Sequence, residues 1–223
     1  MPITLHPELR RRFPGLEVQA IRLADVEVKK EKPELEIFKE EVVRRARGRW
    51  TLEGLREHPN LRAYRDFFWR IGIDPTKVRP SAEALIRRIL HGNPLPRINT
   101  LVDAYNLASV ETALSLAAFD EDKLRGQLLM RMAEGGESFL GIGMSRPVSL
   151  RGGEIIITDS ERPIAIYPYR DAEHSKVTEE TRNVLILVCG VPGISGELIN
   201  QAGRLAVDYI KRFCGGIEAV HGG

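Results

Sequence analysis

The chain opens with a β-branched run, Glu17 to Val28, in which apolar and polar residues loosely alternate. Alternation at period two puts successive side chains on opposite faces, so this run is predicted to be a strand. Leu35, Phe38, Val42, Val43 and Ala46 then recur every three or four residues, the spacing of one helix face, with Gly48 as the expected stop. A second helix carries Leu61, Tyr64, Phe67, Phe68 and Ile71 and ends at Gly72. A third opens at Pro80-Ser81, with Ser81 as N-cap and Glu83 in the first turn, and presents Leu85, Ile86, Ile89 and Leu90 before Gly92. After Asn99 the pattern shortens. Apolar runs at Gln127 to Met130, Phe139 to Ile142, Glu154 to Thr158, Ile164 to Tyr167 and Asn183 to Cys189, separated by Gly and Asp, read as strands. A last helix, capped at Ser195, aligns Leu198, Ala202, Leu205, Tyr209 and Phe213 and ends at Gly215-Gly216. The sum is an α+β chain whose helices cover a mainly antiparallel sheet, with no linker dividing it.

Composition changes little in that picture. Of 223 residues, 43% are hydrophobic and 29% charged, which is ordinary for a globular protein with a real core. The apolar stretch Val184 to Val188 is far short of the ~20 residues that span a bilayer. The start has Arg10, Arg11 and Arg12 but no apolar run behind them, so a secretory leader is not expected and the chain reads as cytoplasmic. Cys189 and Cys214 have neither CxxC spacing nor a His cluster nearby; they are expected to be buried thiols, without a metal site or other cofactor. The net charge is only +2, yet Glu40 to Thr100 holds six more basic than acidic residues. That local excess is the more informative quantity, and Lys77, Arg79, Arg87 and Arg88 are its candidates for contacting a phosphate backbone.

Candidate chemistry is sparse. GxGxxG after a strand, GxxxxGK[ST], HExxH and GxSxG are all absent. Gly193-Ile194-Ser195-Gly196 leads into a helix and reads as plain capping or as an anion-binding turn. Of the histidines His6, His58, His91, His174 and His221, only His174 sits among other polar groups, with Asp171, Lys176 and Thr178. The richest stretch is Leu95 to Asp120, LPRINTLVDAYNLASVETALSLAAFD. On a helix Asp103 and Asn106 share a face, and an asparagine inside an apolar run must find a partner or lose ~1–3 kcal/mol to an unsatisfied amide. That partner is either a neighbouring loop or a pocket ligand.

This stretch resembles the editing (B3/B4) module of the phenylalanyl-tRNA synthetase beta subunit, which carries NNVVDxTNYxxLExGxPxHAFD followed by Lys-Leu. Asn99, Val102, Asp103, Asn106, Glu111, Phe119, Asp120, Lys123 and Leu124 match in register. Arg131-Met132-Ala133, Gly136-Glu137, the run from Gly152 to Asp159 and SKVTEETRN from Ser175 to Asn183 stand where that family has equivalents. Asp74 to Gly92 looks like the signature of its free-standing members. The resemblance covers roughly residues 60 to 190, leaving an N-terminal helical extension and the last helix outside it, all within one B3/B4-like domain.

The resemblance implies hydrolysis of a wrongly charged aminoacyl-tRNA ester, with tRNA as partner and no membrane. It leaves the oligomeric state undefined. Such second sites exist because one methylene gives a synthetic pocket only ~1–3 kcal/mol of discrimination. An ester is already activated, so a positioned water and a few carbonyl donors suffice. For that activity the candidate catalytic set is Asn106, Asp171, Lys176 and Thr178, and substrate would be held by Asp103, Tyr105, Tyr169, Arg170, His174 and Thr181. The sequence departs from the family at four places. Its histidine in HAFD is Ala117, its Thr before the site Asn is Tyr105, its acidic residue after NIFL is Leu187, and its small glycine pair is Tyr169-Arg170-Asp171. Either the pocket is retuned for another amino acid, or the chain binds tRNA or a small ligand without hydrolysis. Docking on an aminoacyl-tRNA synthetase is a third reading.

Overall fold

The computed structural model describes residues 3–219, so His221 lies outside the described residues. The N-terminal part comprises β1 (Thr4–Leu5), α1 (Pro7–Arg12), β2 (Val18–Ala24), α2 (Pro33–Arg49), α3 (Leu52–Glu57), α4 (Pro59–Arg70) and α5 (Ser81–Leu90). Next come α6 (Thr100–Thr112), β3 (Leu116–Asp120), β4 (Leu129–Met132), β5 (Ser138–Phe139), β6 (Val148–Ser149), β7 (Ile155–Thr158) and β8 (Pro163–Ile166). β9 (Arg170–Asp171), β10 (Val184–Cys189), α7 (Gly196–Cys214) and β11 (Ile217–Glu218) complete the order.

Two sheets face each other. One has the order β11-β2-β10-β3, all antiparallel, and the other β1-β4-β7-β8-β9, antiparallel except for the β1–β4 pair. The α+β expectation with a mainly antiparallel sheet therefore holds. The predicted strand at Glu17 to Val28 is β2, an interior strand, so the N-terminal segment contributes to the sheet as well as helices. β10 is apolar throughout because it is buried on both faces, and β3 likewise. α6 starts where the Asn99 side chain accepts the Val102 N–H at 2.9 Å and ends at Ala113 in the left-handed region. Leu9 to Cys214 form one continuous core, and a smaller cluster around Phe139, Ile156 and Ala172 meets it at Tyr169.

Two sequence expectations shift. Gly48 does not end α2, which runs to Arg49 and stops at Trp50, whose ring is held against His58 at 4.8 Å. Ser81 is not the N-cap of α5; Pro80 is, and no side chain caps that helix. β3, α1 and α3 carry no readable period, being short or apolar on both sides. Ser195 does cap α7, accepting from Leu198 N at 3.3 Å.

Candidate functional site

The two sheets enclose a small cavity, and strand register decides what lines it. Leu187 on β10 pairs with Ala117 on β3. On the facing sheet β9 pairs with β8, Asp171 opposite Ala165 and Arg170 opposite Ile166. Neighbours on a strand point to opposite faces. Asp171 lines the cavity, while Arg170 lies over Gly141 and donates through Nη1 to Ile142 O at 3.3 Å. The cavity measures about 70 Å³, and its walls include Ala117, Leu187, Ile157, Cys189, Asp171 and Ser81. Ser81 reaches it because it is the first residue of α5 and its hydroxyl is not used in capping.

Asp171 sets the electrostatics. Burial pushes its carboxyl up to about 7, with the Arg170 charge opposing, and it accepts no hydrogen bond among the described residues. The Tyr105 phenol is held above its ordinary range by burial first and then by the charges of Asp171 and Asp103. Burial also pushes the Cys189 thiol up, with Asp171 adding to it, so that sulfur stays protonated and is a poor nucleophile. Of these groups, Asp171 alone changes charge near neutral pH.

A larger cleft of about 650 Å³ shares Ile166, Tyr167 and Tyr169 with the cavity. It also contains Arg12, Arg70 and Arg151, all exposed. Arg12 and Arg70 rest their guanidiniums 5.5 and 5.2 Å from the Phe13 ring centroid, an arrangement that orders two cations at one side of the cleft. Gly152 and Gly153, both at positive φ (96° and 90°), form its floor, and the Glu154 carboxylate, also in the cleft, accepts from the Arg151 and Gly152 N–H groups at 2.9 Å each.

The other expected residues fall elsewhere. Asp103 is buried, accepting from Lys39 Nζ at 2.5 Å and Ile98 N at 3.0 Å, and it is not among the residues that line the cavity. Asn106 is partly buried and outside the cavity walls, about 60° around α6 from Asp103, so the two share a face as the spacing predicts. Thr181 Oγ1 donates to Asp120 Oδ2 at 2.8 Å and accepts from Thr178 N at 3.0 Å, which builds the turn after Val177. Lys176 pairs with Glu173. His174 is half-buried near Arg162, Asp159, Glu161 and Lys123; burial lowers its pKa and its Nε2 has no partner. Of the expected set, the cavity gathers Asp171 and Tyr169 in its wall, with Tyr105 close enough to feel Asp171. The sequence reading missed Ser81 as a site residue, and Arg12, Arg70 and Arg151 as cleft cations. A serine one residue inside a helix start was the one visible signal for the first; the arginines become neighbours only in the fold.

Among the described residues no group of His, Cys, Asp or Glu is placed to hold a metal ion, and no helix is long and apolar enough to cross a membrane. Both cysteines are free and buried, as expected.

These features define an α+β module whose facing sheets enclose a small polar-tipped cavity beside a basic cleft. The chain belongs to the B3/4 domain family, whose model matches residues 63–216. That match takes in α7, which the sequence reading had placed outside the resemblance. Over 143 residues the chain is 31% identical to a phenylalanine–tRNA ligase beta subunit of Symbiobacterium thermophilum, covering 64% of this chain and 16% of that protein. With the Pectobacterium atrosepticum subunit it shares 33% identity over 109 residues, 49% of this chain and 14% of the other. The chain thus spans a small fraction of the relatives it matches. The crystal structure of an N-terminal fragment of the phenylalanyl-tRNA synthetase beta subunit from Pyrococcus horikoshii superposes with a TM-score of 0.50 at 13% identity, over 96% of this chain and 49% of that one, a likeness of fold.

Proposed function

We propose that this chain hydrolyses the ester of a mischarged aminoacyl-tRNA, acting in trans, with the aminoacyl group in the cavity and the terminal nucleotide in the cleft. One observation carries the reading: a carboxyl poised near pH 7 lines a small, partly open cavity that shares a wall with a cleft containing three arginines. A general base works best when its pKa lies near the operating pH. Asp171 takes a proton from water as its oxygen attacks the ester carbonyl carbon. The Ser81 hydroxyl donates to the carbonyl oxygen as charge builds there. The bond to the ribose oxygen then breaks, and Asp171 returns the proton to the leaving hydroxyl. The arginines hold phosphates and fix the substrate in register.

The test is a deacylation assay on a panel of mischarged tRNAs. Asp171→Asn is expected to lose at least about 100-fold in rate and Ser81→Ala about 10–100-fold. Asn106→Ala, outside the cavity, stays within a few-fold of the parent. If no ester turns over faster with the parent protein than with Asp171→Asn, the hydrolase reading fails. A second reading, a binding module without chemistry, is favoured by the facing pair Ala117 and Leu187, both apolar where the resemblance implies a histidine and an acid. It predicts salt-sensitive filter binding of tRNA with no ester loss.

A further inference from the structure

The four departures from the family pattern converge. Ala117, Leu187, Tyr169 and Asp171 all stand in the wall of the one small cavity, and Tyr105 is its electrostatic neighbour. Replacing a histidine and an acid by Ala117 and Leu187 makes one wall apolar. Replacing small residues by Tyr169-Arg170-Asp171 fills space on the other. The space that remains is about 70 Å³. An apolar cavity of about 150 Å³ is what accepts a benzene ring, and a cavity needs about 10–15 Å³ to hold one water. A phenyl or phenol group therefore does not fit here. The attacking water and a side chain of about one or two heavy atoms do.

The surroundings hold that limit in place. Leu187 and Ala117 lie on strands buried on both faces, so the wall does not retreat toward solvent. Tyr167 is fixed by its hydroxyl, which donates to Gly190 O at 2.6 Å, and Tyr169 packs edge-on to Phe68 at 6.3 Å. A close-packed interior resists opening by a ring's volume.

We infer that the cavity selects small aminoacyl groups (glycyl, alanyl or seryl) and excludes aromatic ones. This rests on the placement of the aminoacyl group in the cavity proposed above, and it names the substrate class of that site. The selection is steric, so it acts on the aminoacyl group whether or not the ester is cleaved.

Two measurements separate the size rule from the chemistry. The first compares deacylation rates of glycyl, alanyl, seryl, valyl and phenylalanyl esters on one tRNA. Small groups are expected to react at least about 100-fold faster than phenylalanyl. Equal rates, or a preference for phenylalanyl, overturn the size rule and leave the hydrolase standing. The second measures binding of 3′-amide analogues, alanyl against phenylalanyl, which cannot be cleaved. Tighter binding of the alanyl analogue, even in a protein that cleaves nothing, supports the size rule while the hydrolase reading fails. Equal binding, the reverse order, or binding of neither overturns it. Two variants bracket the cavity. Ala117→Leu fills it and is expected to lose alanyl recognition while keeping tRNA binding. Leu187→Ala widens it and is expected to narrow the gap between alanyl and valyl. If Leu187→Ala does not fold, Ala117→Leu still decides: unchanged alanyl recognition overturns the inference.

Discussion

A carboxylate moved against apolar side chains loses its hydration, and Asp171 has only the Arg170 charge to offset the loss, so its pKa rises to about 7. In the unfolded chain the same group titrates near 3.9. Between those values the folded protein holds a proton that the unfolded chain has released. Stability therefore falls as pH rises from about 4 to about 7, and the full penalty applies above 7. Asp171→Asn removes the charge and keeps the shape. It is expected to raise the melting temperature more at pH 8 than at pH 5, the difference reflecting on the order of 1–2 kcal/mol, at about 2–4 °C per kcal/mol for a chain of this size. Thermal scans at the two pH values decide. An equal gain at both would mean that the carboxyl does not titrate in that window. The residue that costs stability is also the proposed base, so the same substitution that stabilises the protein should silence the chemistry.

At the scale of elements, α7 lies against β2 through Gly203, where a Cβ would collide with Gln19 Oε1 and come within 2.7 Å of Ile21 Cδ1. Gly203→Ala has good helix propensity on its side, worth about 1 kcal/mol, against an overpacked contact of about 1–3 kcal/mol. The clash is with the Gln19 amide oxygen and a methyl carbon, so the expected net is a loss of about 1 kcal/mol, read as a lowered urea midpoint with unchanged slope. A raised midpoint would show that Gln19 swings clear at no cost. Long amphipathic helices such as α2, α4 and α7 were legible because each has one apolar face, and β2 because it alternates. β3 was not, since burial on both sides erases the alternation that marks a strand. Asp171 was legible as a candidate because it sits in the polar loop around His174. Its partners were not: Ser81 comes from a helix start ninety residues away in sequence, and no local pattern records that two sheets will close over it. The pairing of Ala117 with Leu187 is likewise a fact of register between β3 and β10, invisible until the strands are aligned.

For the whole molecule, the basic excess between Glu40 and Thr100 is largely used internally. Arg65 and Arg87 both pair with the buried Glu83, Arg45 with Glu111 and Arg97 with Glu36, while Arg88 donates to Pro94 O. Of the four residues expected to meet RNA, Lys77, Arg79 and Arg88 are exposed, and Lys77 has Asp74 only at 3.9 Å. The cleft arginines, by contrast, have no acidic side-chain ion-pair partner among the described residues, and they stand beside the cavity, where the proposed function puts the tRNA end. Each phosphate neutralised on a single strand adds about 0.7 to the slope of log affinity against log salt. Changing Arg12, Arg70 and Arg151 together to Gln keeps the stems of Arg12 and Arg70 over Phe13 and removes all three charges. If the 3′ strand runs through the cleft, that triple variant should reduce the salt slope of tRNA binding by about 2, and Lys77→Gln with Arg79→Gln should reduce it by less than half as much. Filter binding across a salt series reads both. A larger loss from the Lys77 and Arg79 pair would move the RNA path to the start of α5, and the terminal nucleotide would then approach the cavity from the Ser81 side instead.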